Sequence, residues 1–196
     1  MDKISKGETL ALLQANSLNT PVYHVFVAPF DWAKINRMID TFEDRVSIRT
    51  WQDGNILCPF FPNQTKPEAH KTLKEIFRTS GDRLGEIILS EGIDPATSVR
   101  CGRIMHTEFT EGADAIIEYF NGPGTVRDLD KIERDRVNII TVRRFQTSYL
   151  LPWQLSLFSL CSKMFKQYPN CTIEWSQYDH PIGLRHSHFI FWEVLL

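Results

Sequence analysis

The sequence predicts an α+β fold of two small lobes. Three observations predict it. Short helical patterns alternate with many strand-like runs, Gly, Pro and Asp-Gly signals punctuate them, and 196 residues suit one large domain or two lobes sharing a core. The expected organisation is one unit over 1–196, with a first lobe over 1–85, a second over 86–196 and a cleft between.

Ser5-Lys6-Gly7-Glu8 fits a capping box, Ser at the N-cap and Glu three residues on, opening a helix to about Gln14 with Leu10 and Leu13 on its apolar side. Thr20-Pro21 breaks the chain, and Val22 to Val27 reads as a buried strand. Asp31 caps a second helix in which Trp32, Ile35, Ile39 and Phe42 line one face. Val46 to Trp51 alternates as a strand does, and Asp53-Gly54 is a hairpin signal before Ile56-Leu57-Cys58. Pro59 to Pro67 reads as a linker. A helix is expected from Glu68 to Arg78 with Leu73, Ile76 and Phe77 inward, ended by Ser80-Gly81-Asp82. Strands follow at Glu86 to Glu91, Arg103 to His106, Ala115 to Phe120 and Val137 to Val142. An apolar helix over 152–166 places Leu155, Phe158, Cys161, Met164 and Phe165 in the core, and closing strands lie at 171–176 and 188–194.

A net charge of −2 and a pI near 6.3 give no basic field, so nucleic acid is not implied as a partner. The apolar runs are too short to span a bilayer, and the start of the chain carries no signal-like apolar region. Cys58, Cys101, Cys161 and Cys171 are widely spaced, which reads as reduced thiols in a cytoplasmic protein without a zinc site.

The chemistry-bearing feature is a pair of carboxylates. Glu174 in Thr172-Ile173-Glu174-Trp175 and Glu193 in Phe191-Trp192-Glu193-Val194 stand among large apolar residues on two candidate strands. Buried carboxylates need a partner, and two on neighbouring strands supply the oxygen ligands Mg²⁺ prefers. Solvent-facing edge carboxylates would give the same pattern. Gly122-Pro123-Gly124-Thr125-Val126-Arg127 is the best phosphate-loop candidate, with Arg127 placed to meet an anion, although it lacks the Walker ending and also reads as a plain turn. Arg49, in an apolar and hydroxyl-bearing strand, calls for a phosphate or a structural carboxylate. Lys6 is a phosphate-contact candidate or a solvated lysine. His186 and His188 share the spacing of one strand face, with His180 nearby, as a metal cluster or as surface histidines.

Taken in order, these segments resemble a shortened N-terminal ATP-grasp domain of the phosphoenolpyruvate synthase, pyruvate phosphate dikinase and rifampin phosphotransferase family. Lys6-Gly7-Glu8-Thr9-Leu10 and Thr20-Pro21-Val22 are similar to that family's opening, and Val46-Ser47-Ile48-Arg49-Thr50 to its Val-x-Val-Arg-Ser strand. Leu89-Ser90-Glu91-Gly92 stands in place of its interlobe Gln-Glu-Met, Gly122 to Val126 in place of its Gly-Leu-Gly-Glu turn. Ile173-Glu174-Trp175 resembles its Asp-Ile-Glu-Trp. The resemblance implies ATP and Mg²⁺ as cofactors. Lys6 and Arg49 would contact phosphates, Ser90 and Glu91 would face the adenine, and Glu174 and Glu193 would bind the metal. It further implies ATP-dependent phosphoryl transfer or ligation, and a partner protein supplying the family's other domains. Pro59-Phe60-Phe61-Pro62 stands where the family has its glycine-rich loop, and Leu195 where it has an arginine. A catalytically inactive relic acting as a binding or regulatory module is the alternative these departures imply.

Overall fold

Residues 4–52, 59–106, 114–143 and 148–196 are described in the computed structural model, and the Asp53-Gly54 turn with Ile56 to Cys58 lies outside them. By its internal contacts the chain separates into two units. One combines the described residues up to Glu8 with Pro21–Asp94, the other Thr9–Thr20 with the described residues from Pro95 to Leu196.

The first unit is built on a four-stranded antiparallel sheet in the order β1-β4-β2-β3, from β1 (Tyr23–Val27), β2 (Arg45–Trp51), β3 (Phe60–Thr65) and β4 (Glu86–Glu91). Its helices are α2 (Trp32–Ile39) and α3 (Lys66–Thr79), and the first turn of α1 (Lys6–Ala15) also belongs to it. Asp31 accepts the Lys34 N–H at 2.9 Å and starts α2 as expected. Ile35, Ile39 and Phe42 then pack with Leu73 and Ile76 of α3 on Val46, Ile48, Ile87 and Leu89. Strand alternation sends Ser47, Arg49, Ile88 and Ser90 to the opposite face.

Three expectations fail here. Pro59–Pro67 is not a linker, because β3 runs through it as an edge strand, the place where a sheet tolerates Pro62. β1 is an edge strand rather than a buried one, with Val27 65% exposed. Phe77 is 55% exposed and meets Trp32 edge-on at 4.9 Å, while the buried side of α3 consists of Ala69, Leu73 and Ile76. β4, which follows the expected 85/86 boundary, pairs inside the first sheet, and the division of contacts falls after Asp94.

The second unit holds a five-stranded antiparallel sheet, β7-β6-β5-β8-β9. Its strands are β5 (Ser98–Met105), β6 (Ala115–Asn121), β7 (Asn138–Val142), β8 (Thr172–Ile182) and β9 (Ser187–Leu195). Helix α5 (Pro152–Gln167) buries Leu157, Phe158, Cys161, Met164 and Phe165, and Trp153 packs at 4.9 Å from Tyr119 and 5.7 Å from Trp175. Leu155, expected inward, is 42% exposed because the buried stripe passes through Gln154 and Leu157. On the other face a short helix, α4 (Val126–Leu129), joins Val126 and Leu129 to Cys101 and Phe120. Asn19 ties the closing hairpin, donating to the carbonyls of Ile182 and Phe189 at 2.8 Å each.

Candidate functional site

The start of α1 is fixed by reciprocal bonds: the Ser5 N–H donates to Glu8 at 2.6 Å and the Glu8 N–H to Ser5 Oγ at 3.2 Å. It is also pinned to the sheet. Ser5 Oγ–H and the Gly7 N–H each donate to the buried Glu86 carboxylate at 2.9 Å. A side chain at Gly7 would meet Glu86 Oε2 at 2.6 Å and Val25 at 2.9 Å, so only glycine allows this approach. Glu86, Ile88 and Ser90 alternate to one face of β4, and Ile88 and Ser90 are paired with Arg49 and Ser47 of β2. The face that seats Lys6 at the first turn of α1 is therefore the face of Arg49 and Ser90. Arg49 lies 4.5 Å from the centroid of the Phe60 ring, a cation–π contact. Glu91 alternates to the helix-covered face, and its carboxylate accepts the Val22 N–H at 3.3 Å. Ser90 and Glu91 thus do not share a surface.

In the second unit Glu174 and Glu193 are directly opposite each other in register, and Glu174 is in turn opposite Arg103, which is opposite Glu118. One face of the sheet carries the row Glu118–Arg103–Glu174–Glu193, on the side away from α5. Directly opposed like charges are destabilising, so this arrangement needs a compensating cation. Arg103 supplies one. Its Nε lies 4.0 Å from Glu174 Oε1, and its Nη2 donates to both oxygens of Asp130, beyond the end of α4, at 3.0 and 2.9 Å. Those carboxylates, Asp130 first, hold the Arg103 pKa above its usual value. The Nε–H itself is buried and has no hydrogen-bond acceptor.

A β-bulge follows Glu174, putting Trp192 at the extra position, where its indole N–H donates to Ser176 Oγ at 2.9 Å. Two carboxylates directly opposed across a strand pair offer hard oxygen donors. That set fits Mg²⁺, which takes one or two carboxylates and completes its shell with phosphate and water.

The glycine turn is occupied by the fold. The Gly122 N–H donates to the Val99 carbonyl at 2.9 Å, and the Gly124 N–H to Pro95 O at 3.0 Å and Ser98 Oγ at 3.1 Å. Both amides are engaged within the protein, as in a plain turn between strands. Its φ values of 121° at Gly122 and 153° at Gly124 explain the glycines. Arg127 is exposed on α4. Thr125 N–H donates to Asp128 at 2.8 Å, which holds that carboxyl below its ordinary value.

His186 lies in the turn before β9 with φ 46°, so it does not share a strand face with His188, whose Nδ1 is 2.9 Å from the Tyr178 carbonyl oxygen. Among the described residues no group of three or more His, Cys, Asp or Glu has the geometry of a metal cage. Cys101, Cys161 and Cys171 are buried free thiols, and burial pushes Cys101 up to about 12 and Cys171 up to about 11. Such thiols stay protonated and are poor metal ligands.

Of the residues the sequence singled out, the first unit brings Lys6, Arg49 and Ser90 to one face, and the second brings Glu174 and Glu193 together. Arg103 and Glu118 were not singled out. Each is a charge at an alternating position in an apolar strand, the same signal that drew attention to Arg49.

Two antiparallel sheets of four and five strands with flanking helices form the ATP-grasp fold. The chain is similar to D-alanyl-alanine synthetase A from Vibrio cholerae (TM-score 0.52, 11% identity, covering 96% of this chain and 54% of that one). It is similar also to the D-alanine-D-alanine ligase from Coxiella burnetii (TM-score 0.53, 12% identity, 96% and 46%). A third similar structure is N5-carboxyaminoimidazole synthase from Aspergillus clavatus, in complex with ADP and 5-aminoimidazole ribonucleotide (TM-score 0.55, 9% identity, 96% and 43%). The chain thus spans about half the length of these proteins. No protein-family profile matches the sequence, and neither does any curated protein. Among the described residues no helix is long and apolar enough to cross a membrane.

Proposed function

We propose that this chain binds ATP together with Mg²⁺, the ion held by Glu174 and Glu193, as part of an ATP-dependent phosphotransferase or ligase. The observation that carries the reading is the direct cross-strand opposition of these two carboxylates on an ATP-grasp sheet. Two like charges set against each other cost stability, and a divalent ion held by Glu174 and Glu193 would offset that cost. Lys6 and Arg49, which share a face of the first sheet with Ser90, are the proposed phosphate contacts. Magnesium, when bound, neutralises charge on the phosphates, and the protein's part is to position them. The specific affinity to the phosphoenolpyruvate synthase group stays part of this proposal, resting on Ile173-Glu174-Trp175 and the Arg49 strand. So does a protein partner carrying further domains, which the resemblance to that multidomain family motivates.

The second reading is a nucleotide-binding module without turnover. Two observations favour it: the amides of Gly122 and Gly124 are engaged by protein oxygens, and Leu195 ends β9 where the resembled family has an arginine. Calorimetric titration of ATP with and without MgCl₂ tests the common part. Saturable, magnesium-dependent binding that is lost in folded Glu174→Gln and Glu193→Gln proteins is expected. Equal ATP binding with and without the ion would refute it. Release of ADP on incubation with MgATP then separates the enzyme from the module.

A further inference from the structure

The residue that stands out beside the proposed metal pair is a cation of the chain itself. Arg103 projects from the central strand of its sheet between Glu118 on one side and Glu174 on the other, with Glu193 one strand further. Its two ends are treated differently. Nη2 is held by both oxygens of Asp130 at 2.9 and 3.0 Å, whereas Nε lies 4.0 Å from Glu174 Oε1 and finds no hydrogen-bond acceptor. The guanidinium is thereby anchored at its far end and leans on Glu174 through charge alone. An ion pair without a hydrogen bond is the weaker kind of contact, and it competes for the same oxygen that a metal would use.

We propose that Arg103 is a built-in counter-ion for the Glu174–Glu193 pair, one that a divalent ion displaces from Glu174 and whose charge sets how tightly that ion is held. This rests on the metal-binding reading of the pair given above. Asp130 gives the arrangement its second state: when the ion takes Glu174, Arg103 keeps both Asp130 oxygens on Nη2 and is not left as an uncompensated charge. The pair without an ion is likewise protected from the full repulsion of two opposed carboxylates. Arg103 acts here on the ion's affinity through Glu174, and is a positioning residue.

The test is titration with Mn²⁺ alone, free ion being followed by its electron paramagnetic resonance signal, on the wild type and on Arg103→Gln, Arg103→Lys and Glu174→Gln. Thermal unfolding checks that each variant is folded, and Arg103→Met replaces the amide if that protein does not fold. Removing one unit charge beside a largely buried site should tighten Mn²⁺ binding about tenfold in Arg103→Gln, and less at high salt. Arg103→Lys, which keeps the charge, should stay near the wild type, and Glu174→Gln should lose binding. Equal or weaker binding in Arg103→Gln, with the wild-type site still lost in Glu174→Gln, overturns the counter-ion role and leaves the metal site standing. Absence of Mn²⁺ binding in wild type and Arg103→Gln alike overturns both.

Discussion

Glu86 in the first unit and Glu174 in the second are both strand carboxylates among apolar neighbours, yet they are held by different partners. Glu86 accepts one hydroxyl and one backbone N–H, both neutral and both fixed by the start of α1. Glu174 faces another carboxylate and a guanidinium. A carboxylate held by neutral donors of the fold has its place and its partners settled by folding. One balanced by a neighbouring charge can exchange that charge for an ion. Burial alone does not separate a structural acid from a ligand; the nature of its donors does.

The largest effect that would break this contrast is on stability. Glu86→Ala leaves the Ser5 hydroxyl and the Gly7 N–H without their acceptor and should cost about 3 kcal/mol in denaturant unfolding. The same variant should leave Mn²⁺ binding in the second unit unchanged. Glu174→Gln or Glu193→Gln should do the reverse. Removing one of two opposed charges should shift stability by no more than about 1 kcal/mol. Binding of MgATP should fall by at least the loss that follows removal of a ligand's supporting shell, about 10–100-fold by calorimetry. A Glu174→Gln protein that unfolds as readily as Glu86→Ala, with ATP binding intact, would erase the distinction.

A smaller effect sharpens it. Asp128, lowered by the Thr125 N–H, contributes stability that is complete above the ordinary carboxyl value of about 4 and is lost as pH falls through its lower folded value. Asp128→Asn should therefore cost about 1 kcal/mol at neutral pH, as loss of a cap does, and flatten the stability profile below about pH 4. Smallest of all is Asp130→Asn. It removes a pair whose acid is mostly exposed, and urea unfolding should register about 0.5 kcal/mol or less.

Much of this was legible in the sequence where local chemistry decides the outcome. The Ser5–Glu8 box, the Asp31 cap and the alternation of residues 46–51 all stand where their patterns place them. The fold class follows from the same local signals. Reading fails where tertiary position overrides local composition. Pro59 and Pro62 look like a linker because proline is excluded from central strands, but β3 is an edge strand. Leu155 looks like a core residue until the polar Gln154 is seen to be buried in its stead. At the site, Glu174 and Glu193 were readable as two acids on two strands, yet Arg103 between Glu118 and Glu174 is a product of register. Residues 71 positions apart become neighbours only through the pairing of β5 with β8, and no spacing in the chain announces that.

The indole of Trp192, bonded to Ser176 next to the carboxylate pair, is a reporter for the ion in proton–nitrogen NMR spectra. With ATP present, substoichiometric Mn²⁺ should broaden the Trp192 indole resonance, and the broadening should vanish in a folded Glu174→Gln/Glu193→Gln protein. A Trp192 signal that stays sharp while calorimetry shows Mn²⁺-ATP bound would place the ion away from Glu174 and Glu193.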